Sequence, residues 1–190
     1  MGRWEPNARE RLELAALELF RERGYDSTTV AEIATRAGLT KRSFFRHFAD
    51  KRELLFSGQE LIVQLIADAI IGAPSSATPL DAITAALVAF DSIFDGERRA
   101  LARERHAIIA DNVELREREL LKHTTLTTAM ARALRERGEP EAVANLAAEF
   151  GGLALNIAFA RWIEPTAEKD FAPLARQAVD ELRATTAALG

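Results

Sequence analysis

Apolar side chains recur every three or four positions along most of the chain, which is the spacing of amphipathic helices. No stretch shows the strict alternation of apolar and polar residues that is typical of a half-buried strand. The pattern therefore predicts an all-α protein of about nine helices. Read from caps, glycines and prolines, their expected ranges are about 7–23, 29–37, 40–48, 53–71, 80–94, 97–110, 112–137, 140–163 and 169–189.

The first helices begin at residues that cap helix N-termini. A Ser, Thr, Asp or Asn side chain at this position accepts a hydrogen bond from a backbone N–H of the first turn, and a Glu three residues later often completes the cap. Gly38 separates the second helix from the third and suits a tight turn. The expected caps are Asn7, Thr29, Thr40 and Asp50, and Glu10, Glu32 and Glu53 complete three of them.

The stretch from Ser27 to Lys51 reads as two short helices joined by a turn, the layout of a helix-turn-helix. In the second helix Phe44 and Phe48, four residues apart, supply the buried face. In helix-turn-helix proteins this second helix enters the major groove of DNA. The residues left for its outer faces are Lys41, Arg42, Ser43, Phe45, Arg46 and His47.

Lys51 lies where a helix is expected to start, a place where the helix dipole disfavours a cation. A bound phosphate would reverse that preference, so we interpret Lys51 as a contact to the DNA backbone. The alternative is a solvated lysine whose charge is offset by Asp50 and Glu53. His47 has a similar alternative, in which the imidazole packs beside Phe48 and bonds to the backbone.

The net charge of −4 is unevenly distributed along the 190 residues. Residues 1–52 carry 11 basic and 8 acidic side chains, a net +3, and the rest carry 14 basic and 21 acidic ones, a net −7. This asymmetry fits a basic DNA-binding part and an acidic body. It also supports the division that we expect, a DNA-binding domain over 1–52 and a regulatory and dimerisation domain over 53–190.

Composition excludes several other classes of site. The chain has no cysteine, and its three histidines are far apart, so we expect no disulfide, no metal site and no cofactor. Residues 1–10 have no apolar signal core, and the longest apolar runs are interrupted by charge or glycine well short of a membrane span. We therefore expect a cytoplasmic protein that does not associate with a membrane.

The segment TTVAEIATRAGLT, followed by SFFRHFADKRELL, resembles the DNA-binding segment of TetR-type transcriptional regulators. The resemblance covers roughly residues 8–56 and includes the turn, the caps, the core and the lysine at 51. Membership of this family implies a homodimeric repressor with three N-terminal helices for DNA and a larger helical domain for dimerisation and ligand binding. The remaining helices resemble the family only in number, length and order.

Carried over by position, the resemblance assigns roles to the residues of the motif. Thr29 caps the first helix and contacts phosphate, and Thr40 caps the second. Phe45 stands where the family usually has tyrosine, so a phosphate-directed hydroxyl is missing and only apolar or sugar contact remains. The family reads base edges from the positions of Lys41, Arg42 and Ser43 and meets the backbone from those of Phe45, His47 and Lys51, and Arg46 lies on the same outer surface.

The last two helices are the expected dimer surface. The helix over 140–163 is apolar on nearly all its sides, so several of its sides should be buried. Together with the stripe of the helix over 169–189, this predicts a four-helix interface between two subunits that bind a palindromic DNA operator. The alternative is that both stripes are buried inside one chain.

A ligand site is expected in the same half of the chain. Glu149, Gly152 and Asn156 recur along one line of an apolar helix, and buried polar groups need partners. Those partners could be an effector, the second subunit or water. An effector would be a small apolar or amphipathic molecule, because the expected walls are mostly hydrocarbon. The candidate ligand-binding residues are Phe90, Phe94, His106, His123, Glu149, Gly152 and Asn156.

The function that the sequence predicts is a ligand-responsive, homodimeric repressor that is not an enzyme. One alternative is a DNA-binding regulator without an effector, or an activator that works through partner contacts. Another is an all-α enzyme that carries a helix-turn-helix. The sequence has no nucleophile elbow, zinc-protease motif, P-loop or dinucleotide fingerprint to support that enzyme.

Overall fold

The computed structural model describes residues 7–94, 98–165 and 170–189, which form ten α-helices and one 3₁₀ turn and contain no β-strand. The all-α prediction is confirmed. The helices are α1 (Ala8–Arg23), α2 (Val30–Arg36), α3 (Lys41–Phe45), α4 (Glu53–Phe56), α5 (Gln59–Ile71), α6 (Pro79–Ala89), α7 (Arg99–Ala110), α8 (Val113–Glu136), α9 (Glu141–Trp162) and α10 (Phe171–Ala188).

The chain divides into two compact units. The N-terminal unit contains the residues up to Ser57 together with Arg103–Glu117, and the C-terminal unit contains Gly58–Ala102 and the residues from Arg118 onwards. The boundary expected after residue 52 differs from this division. Residues 53–57 stay with the N-terminal unit because α4 buries its apolar side chains there. The segment 103–117 joins it through buried Ile109 and Leu115.

Helix α1 is the scaffold of the N-terminal unit and packs against α2 and α4, while α2 packs against α3. Each short helix adds a few apolar side chains to one core. Because α3 has only five residues, its stability depends on this packing more than on its own hydrogen bonds. The large buried side chains of this core include Leu12, Leu19, Phe20, Ile33, Phe44, Phe48 and Leu115.

Asn7, Thr29 and Thr40, three of the four expected N-cap residues, each accept a backbone hydrogen bond at a helix start. Asn7 accepts a hydrogen bond from the Glu10 backbone, and Thr29 and Glu32 form a complete capping box. The cap at Asp50 differs, because α4 begins only at Glu53. The Asp50 carboxylate accepts from the backbone N–H of Glu53 at 3.1 Å, while the Glu53 carboxylate reaches the N–H of Ala49 at 2.7 Å.

The single helix expected over 53–71 is two helices in the structure. Helix α4 ends at Phe56, and α5 starts at Gln59 after Gly58, whose φ is +80°. Glycine adopts this left-handed conformation at little cost, so it allows the chain to change direction here. The prediction of one helix was wrong because the apolar spacing continues across the break.

The C-terminal unit is built around α9, which packs against α6, α8 and α10. Gly151 makes the close approach possible. A Cβ atom on Gly151 would lie 2.7 Å from Ile83 on α6 and 3.0 Å from the Met130 sulfur on α8. Helix α9 is nevertheless not buried on every side, since Val143, Leu146 and Leu153 remain exposed in the single chain.

The helix expected over 80–94 is shorter than the sequence pattern suggests. Helix α6 ends at Ala89, and Phe90–Ser92 forms a 3₁₀ turn. Asp91 in this turn accepts hydrogen bonds from the backbone N–H groups of Phe171 and Ala172 at 2.9 and 3.0 Å, so it caps α10 from a distant part of the chain. The expected helix limits at Asp95, Gly96, Glu97 and Lys169 lie outside the described residues.

Two segments, Glu53–Ile71 and Glu141–Trp162, are long and apolar enough to cross a membrane by length and composition alone. This is weak evidence, because the core helix of a soluble protein passes the same test. The first segment is interrupted at Gly58, and the second supplies much of the C-terminal core.

Candidate nucleic-acid interface

The turn between α2 and α3 is fixed by contacts on both sides. Gly38 has a φ of +66°, and its N–H donates to the Thr35 carbonyl. Arg11 on α1 donates from its guanidinium to the carbonyl of Ala37, next to the turn. Because Arg11 also lies where a Gly38 side chain would be, the turn has room only for glycine without rearrangement.

Helix α3 is held against the core by its aromatic side chains. Phe44 and Phe48 are buried, with ring centroids 5.6 Å apart. Thr40 accepts from the Ser43 backbone at 3.0 Å, and the two hydroxyl oxygens are also 3.0 Å apart. The hydroxyls of Thr40 and Ser43 therefore stabilise the start of α3 in the protein without DNA.

The outward surface of α3 carries Lys41, Arg42, Phe45 and Arg46, and all four are exposed. Lys41, Arg42 and Arg46 have no carboxylate partner among the described residues. The Lys41 ammonium lies 5.9 Å from the centroid of the Phe45 ring, a long cation–π distance. The structure thus brings together four of the residues that the sequence assigned to DNA.

Five arginines on α1, on α2 and just before α4 are paired with carboxylates, unlike the three cations on the α3 surface. Arg36, for example, is 2.9 Å from Glu22 and 3.2 Å from Glu18, which ties α2 to α1. Opposite charges keep these side chains from being available to phosphate. The remaining ion pairs join Arg9 to Glu13, Arg21 to Glu104, Arg23 to Glu32 and Arg52 to Asp50.

Lys51 makes contacts within the protein that the sequence did not predict. Its ammonium donates to the carbonyl of Tyr25 at 2.8 Å and to that of Thr28 at 3.2 Å. It also lies 4.1 Å from the centroid of the Tyr25 ring. Burial raises the pKa of Tyr25 to about 12, so the phenol under this lysine stays neutral at physiological pH. Lys51 closes the loop before α2, whatever its role towards phosphate.

We expect Lys51→Met to lower the free energy of unfolding by about 2 kcal/mol, because the variant loses charge-assisted hydrogen bonds to two partly buried carbonyls. Thermal unfolding of the full chain measures the effect. Lys41→Met is the matched control, since Lys41 is exposed and should tolerate the change within about 0.5 kcal/mol. An unchanged melting temperature with a salt dependence of DNA binding lower by about one would instead make Lys51 a phosphate contact alone.

Thr29 and His47, the other two residues assigned to phosphate, both make contacts within the protein. Thr29 donates from its hydroxyl to the Glu32 carboxylate at 2.7 Å, so the hydroxyl is already engaged in the cap. His47 is half-buried beside Phe48, and its backbone N–H donates to Phe44 at 2.9 Å. Phosphate contact by Thr29 and His47 stays a prediction, and each residue also has a structural role.

The expected ligand-binding residues do not form one cluster. Glu149 and Asn156 are exposed on the outer face of α9, whereas Gly152 is buried against Thr127 and His123 of α8. A helix turns 100° per residue, so positions i, i+3 and i+7 spread over about 60° of its circumference. This spread is wide enough to place Gly152 on the buried side and the other two residues on the exposed side.

The other four candidates are separated as well. Phe90 and Phe94 stack in an aromatic cluster with Phe171, with centroid distances of 4.7 to 6.2 Å. His106 is exposed on α7 and belongs to the N-terminal unit. His123 is half-buried, and its Nε2 atom is shielded from solvent without a hydrogen-bond partner in the described structure.

Sequence reasoning missed the residues that support the motif from a distance. Arg11 and Tyr25 each lie 26 positions from the residue that they assist, so no local spacing reveals them. Asn112 accepts from the Leu115 N–H at the start of α8, and its amide also donates to both carboxylate oxygens of Asp26 at 3.2 Å.

Comparison with known proteins identifies the motif. Residues 14–57 match the family described as bacterial regulatory proteins, tetR family. The chain is 35% identical over 107 residues to the HTH-type transcriptional regulator TcmR of Streptomyces glaucescens. Residues 14–57 are therefore a helix-turn-helix segment of the tetR type. The aligned segment covers 56% of this chain and 47% of TcmR, so the chain spans about half the length of that relative.

Solved TetR-family structures share the fold across both units. SmeT, the repressor of a Stenotrophomonas maltophilia multidrug efflux pump, aligns in its triclosan complex with a TM-score of 0.63 and 20% identity, covering 95% of this chain and 91% of SmeT. FadR of Bacillus subtilis, solved with stearoyl-CoA, aligns with a TM-score of 0.58 and 22% identity over 90% of this chain and 96% of FadR. At these identities the likeness establishes the fold.

Proposed function

We propose that this protein is a homodimeric repressor of the TetR type that binds a palindromic DNA operator and leaves it when a small apolar or amphipathic effector binds. The observation that carries the proposal is the set of unpaired cations on α3. Lys41, Arg42 and Arg46 are exposed without carboxylate partners in the described chain, while neighbouring arginines are paired. A surface that keeps its positive charge available suits a polyanion such as DNA.

The role of a dimer follows from the size of the motif. One helix-turn-helix reaches few base pairs, and two copies held one helical turn of DNA apart read a palindrome. Helix α9 offers a surface for self-association, since Leu146 and Leu153 are 74% and 50% exposed on a helix that also forms the core. Their exposed face supports the proposed interface with α10, because a two-fold axis would bury it against its own copy.

The effector part of the proposal concerns the C-terminal unit. The Nε2 atom of His123 is buried without a hydrogen-bond partner in the described structure, and buried polar groups need partners. The imidazole packs closely on α9, since a Cβ atom on Gly152 would lie 2.8 Å from Nε2. Aromatic side chains dominate another part of this unit. Triclosan and stearoyl-CoA in the structures of SmeT and FadR are amphipathic molecules, which agrees with the class of effector proposed here.

An effector would act by shifting the dimer between two arrangements. In one, the two α3 helices have the spacing of successive major grooves, and in the other they do not. A ligand that binds the second arrangement more tightly lowers the population that can bind DNA. The coupling requires only a difference in affinity between the two states.

The test is a salt titration of DNA binding. The full chain is used to select duplexes from a random library, and fluorescence anisotropy then measures their dissociation constants between 50 and 300 mM salt, which is roughly the range where counterion release is read. We expect a steep, linear fall of affinity with salt and a two-fold symmetric consensus. Failure to bind any duplex in a salt-dependent way would refute the proposal.

One observation favours a regulator without an effector. Glu149 and Asn156, two of the expected ligand contacts, are exposed on α9, on the proposed dimer face. Native mass spectrometry of the gently extracted protein separates the two functions, because an effector-free regulator would give only empty dimers. Turnover of a bound small molecule would be needed to support an enzyme, and the sequence relatives are transcriptional regulators.

A further inference from the structure

The side chain at the centre of the α3 surface is apolar. Phe45 is 50% exposed, and it follows Lys41 by four residues and Arg42 by three. Residues at these spacings are neighbours on a helix surface, so the ring lies between two of the unpaired cations. Any duplex that those cations draw close must also cover the phenyl ring.

The ring is held in a defined position before DNA arrives. It packs edge-on against buried Phe44, with centroids 5.3 Å apart and an interplanar angle of 81°. Edge-to-face contact of this kind is a favourable arrangement for two aromatic rings. The outer half of Phe45 is therefore presented by a rigid support.

A phenyl ring cannot donate or accept the hydrogen bonds that distinguish base edges or hold phosphates. Among the groups that line the major groove, the 5-methyl group of thymine is the apolar one. We propose that Phe45 is a specificity-determining residue that selects thymine by packing on its 5-methyl group. This inference rests on the proposed DNA-binding function and goes beyond it by naming the chemical group that is read.

The expected effect is set by the burial of one methyl group. Replacing the contacted thymine by uracil should weaken binding about fourfold for each half-site, which corresponds to about 0.8 kcal/mol. Uracil keeps every hydrogen-bonding group of thymine, so direct readout through polar contacts is unchanged. Substitution of the thymine in both half-sites of a palindrome should weaken binding about 16-fold.

The experiment uses the wild-type full chain and a duplex that it has selected from a random library. Each thymine is replaced by uracil in turn, and the dissociation constant is measured at fixed salt. We expect one position in each half-site to show the fourfold loss, and 5-bromouracil, whose bromine occupies the place of the methyl group, to restore affinity there. In Phe45→Ala the ratio between thymine and uracil duplexes should fall to about one.

Lys41→Ala is the matched variant, because it removes a neighbouring charge and leaves the ring. It should bind more weakly overall and keep the thymine preference. Equal affinity for thymine and uracil at every position would overturn the inference and leave DNA binding intact, as would a uracil effect that persists in Phe45→Ala. Failure of the wild-type chain to bind any duplex would refute the proposed function itself.

Discussion

The triple variant Lys41→Ala, Arg42→Ala, Arg46→Ala is expected to lose operator binding while keeping its fold. Three cations that each neutralise one phosphate per half-site contribute about 2.7 to the slope of log affinity against log salt. Taking 1 M salt as the reference, their removal costs about 500-fold for each half-site at 0.1 M salt. A salt titration by fluorescence anisotropy measures both quantities, and circular dichroism checks the helices.

The N-terminal unit offers a control with the same change in net charge. Arg9, Arg21 and Arg23 are paired with Glu13, Glu104 and Glu32, and their replacement by alanine removes exposed ion pairs of little energetic value. That variant should keep a salt slope within about one unit of the wild type. If both triple variants lose affinity equally, net charge decides binding and the α3 surface has no special role.

Single substitutions separate the two kinds of contact on α3. A good bidentate contact to guanine is worth about 1–3 kcal/mol of discrimination. Lys41→Ala and Arg42→Ala should therefore narrow the difference between operator and random DNA. Equal loss on both kinds of DNA for Arg42→Ala would show that Arg42 contacts only the backbone.

The second large effect is expected for Leu146→Glu combined with Leu153→Glu. Both leucines are exposed on α9 in the single chain, and burying a leucine is worth about 1.5–3 kcal/mol. A two-fold interface contains each residue twice, so the loss should reach about 6 kcal/mol or more and raise the dimer dissociation constant by at least about 10⁴-fold. Sedimentation equilibrium should show monomers, and the affinity for the operator should fall because the dimer is lost.

Exposed leucines elsewhere provide the comparison. Leu61 on α5 and Leu120 on α8 are 75% and 69% exposed, and Leu61→Glu with Leu120→Glu introduces the same charges. This variant should remain a dimer at micromolar concentration. Dissociation of this variant instead would move the interface to α5 and α8, and dimers in both variants would exclude α9 as the main contact.

Local signals explain what the sequence predicted well. Caps at Thr29 and Thr40, together with a glycine turn at residue 38, depend on residues within four positions of one another. Their geometry is therefore encoded where it is used. Burial of Phe44 and Phe48 follows from helical spacing in the same way.

Errors arose where two signals conflict or where the partner is distant. The apolar pattern continues through residues 53–71, and only the conformation of Gly58 shows that the helix is broken. The candidate ligand contacts on α9 were aligned by spacing, but Gly152 is buried and Glu149 is exposed. Periodicity places residues on a helix and cannot say which neighbouring helix each side meets.

The lysine at 51 shows the same limit from the opposite side. Its position at a helix start suggested that it binds an external anion. In the structure its partners are the carbonyls of residues 25 and 28, which are more than 20 positions away in the sequence. Only the folded chain brings these groups within hydrogen-bonding distance. The phosphate contact stays a prediction, and the intramolecular role has to be measured beside it.

The loop before α2 is attached at two points, and this has a mechanical consequence. Lys51, next to the start of α4, bonds to Tyr25 and Thr28, and Asn112, at the start of α8, bonds to Asp26. Residues 25–28 therefore connect the starts of α4 and α8 to the start of α2. Because these hydrogen bonds restrain the loop, a small rotation of the first turn of α4 or α8 would also move Thr29 and the axis of α2.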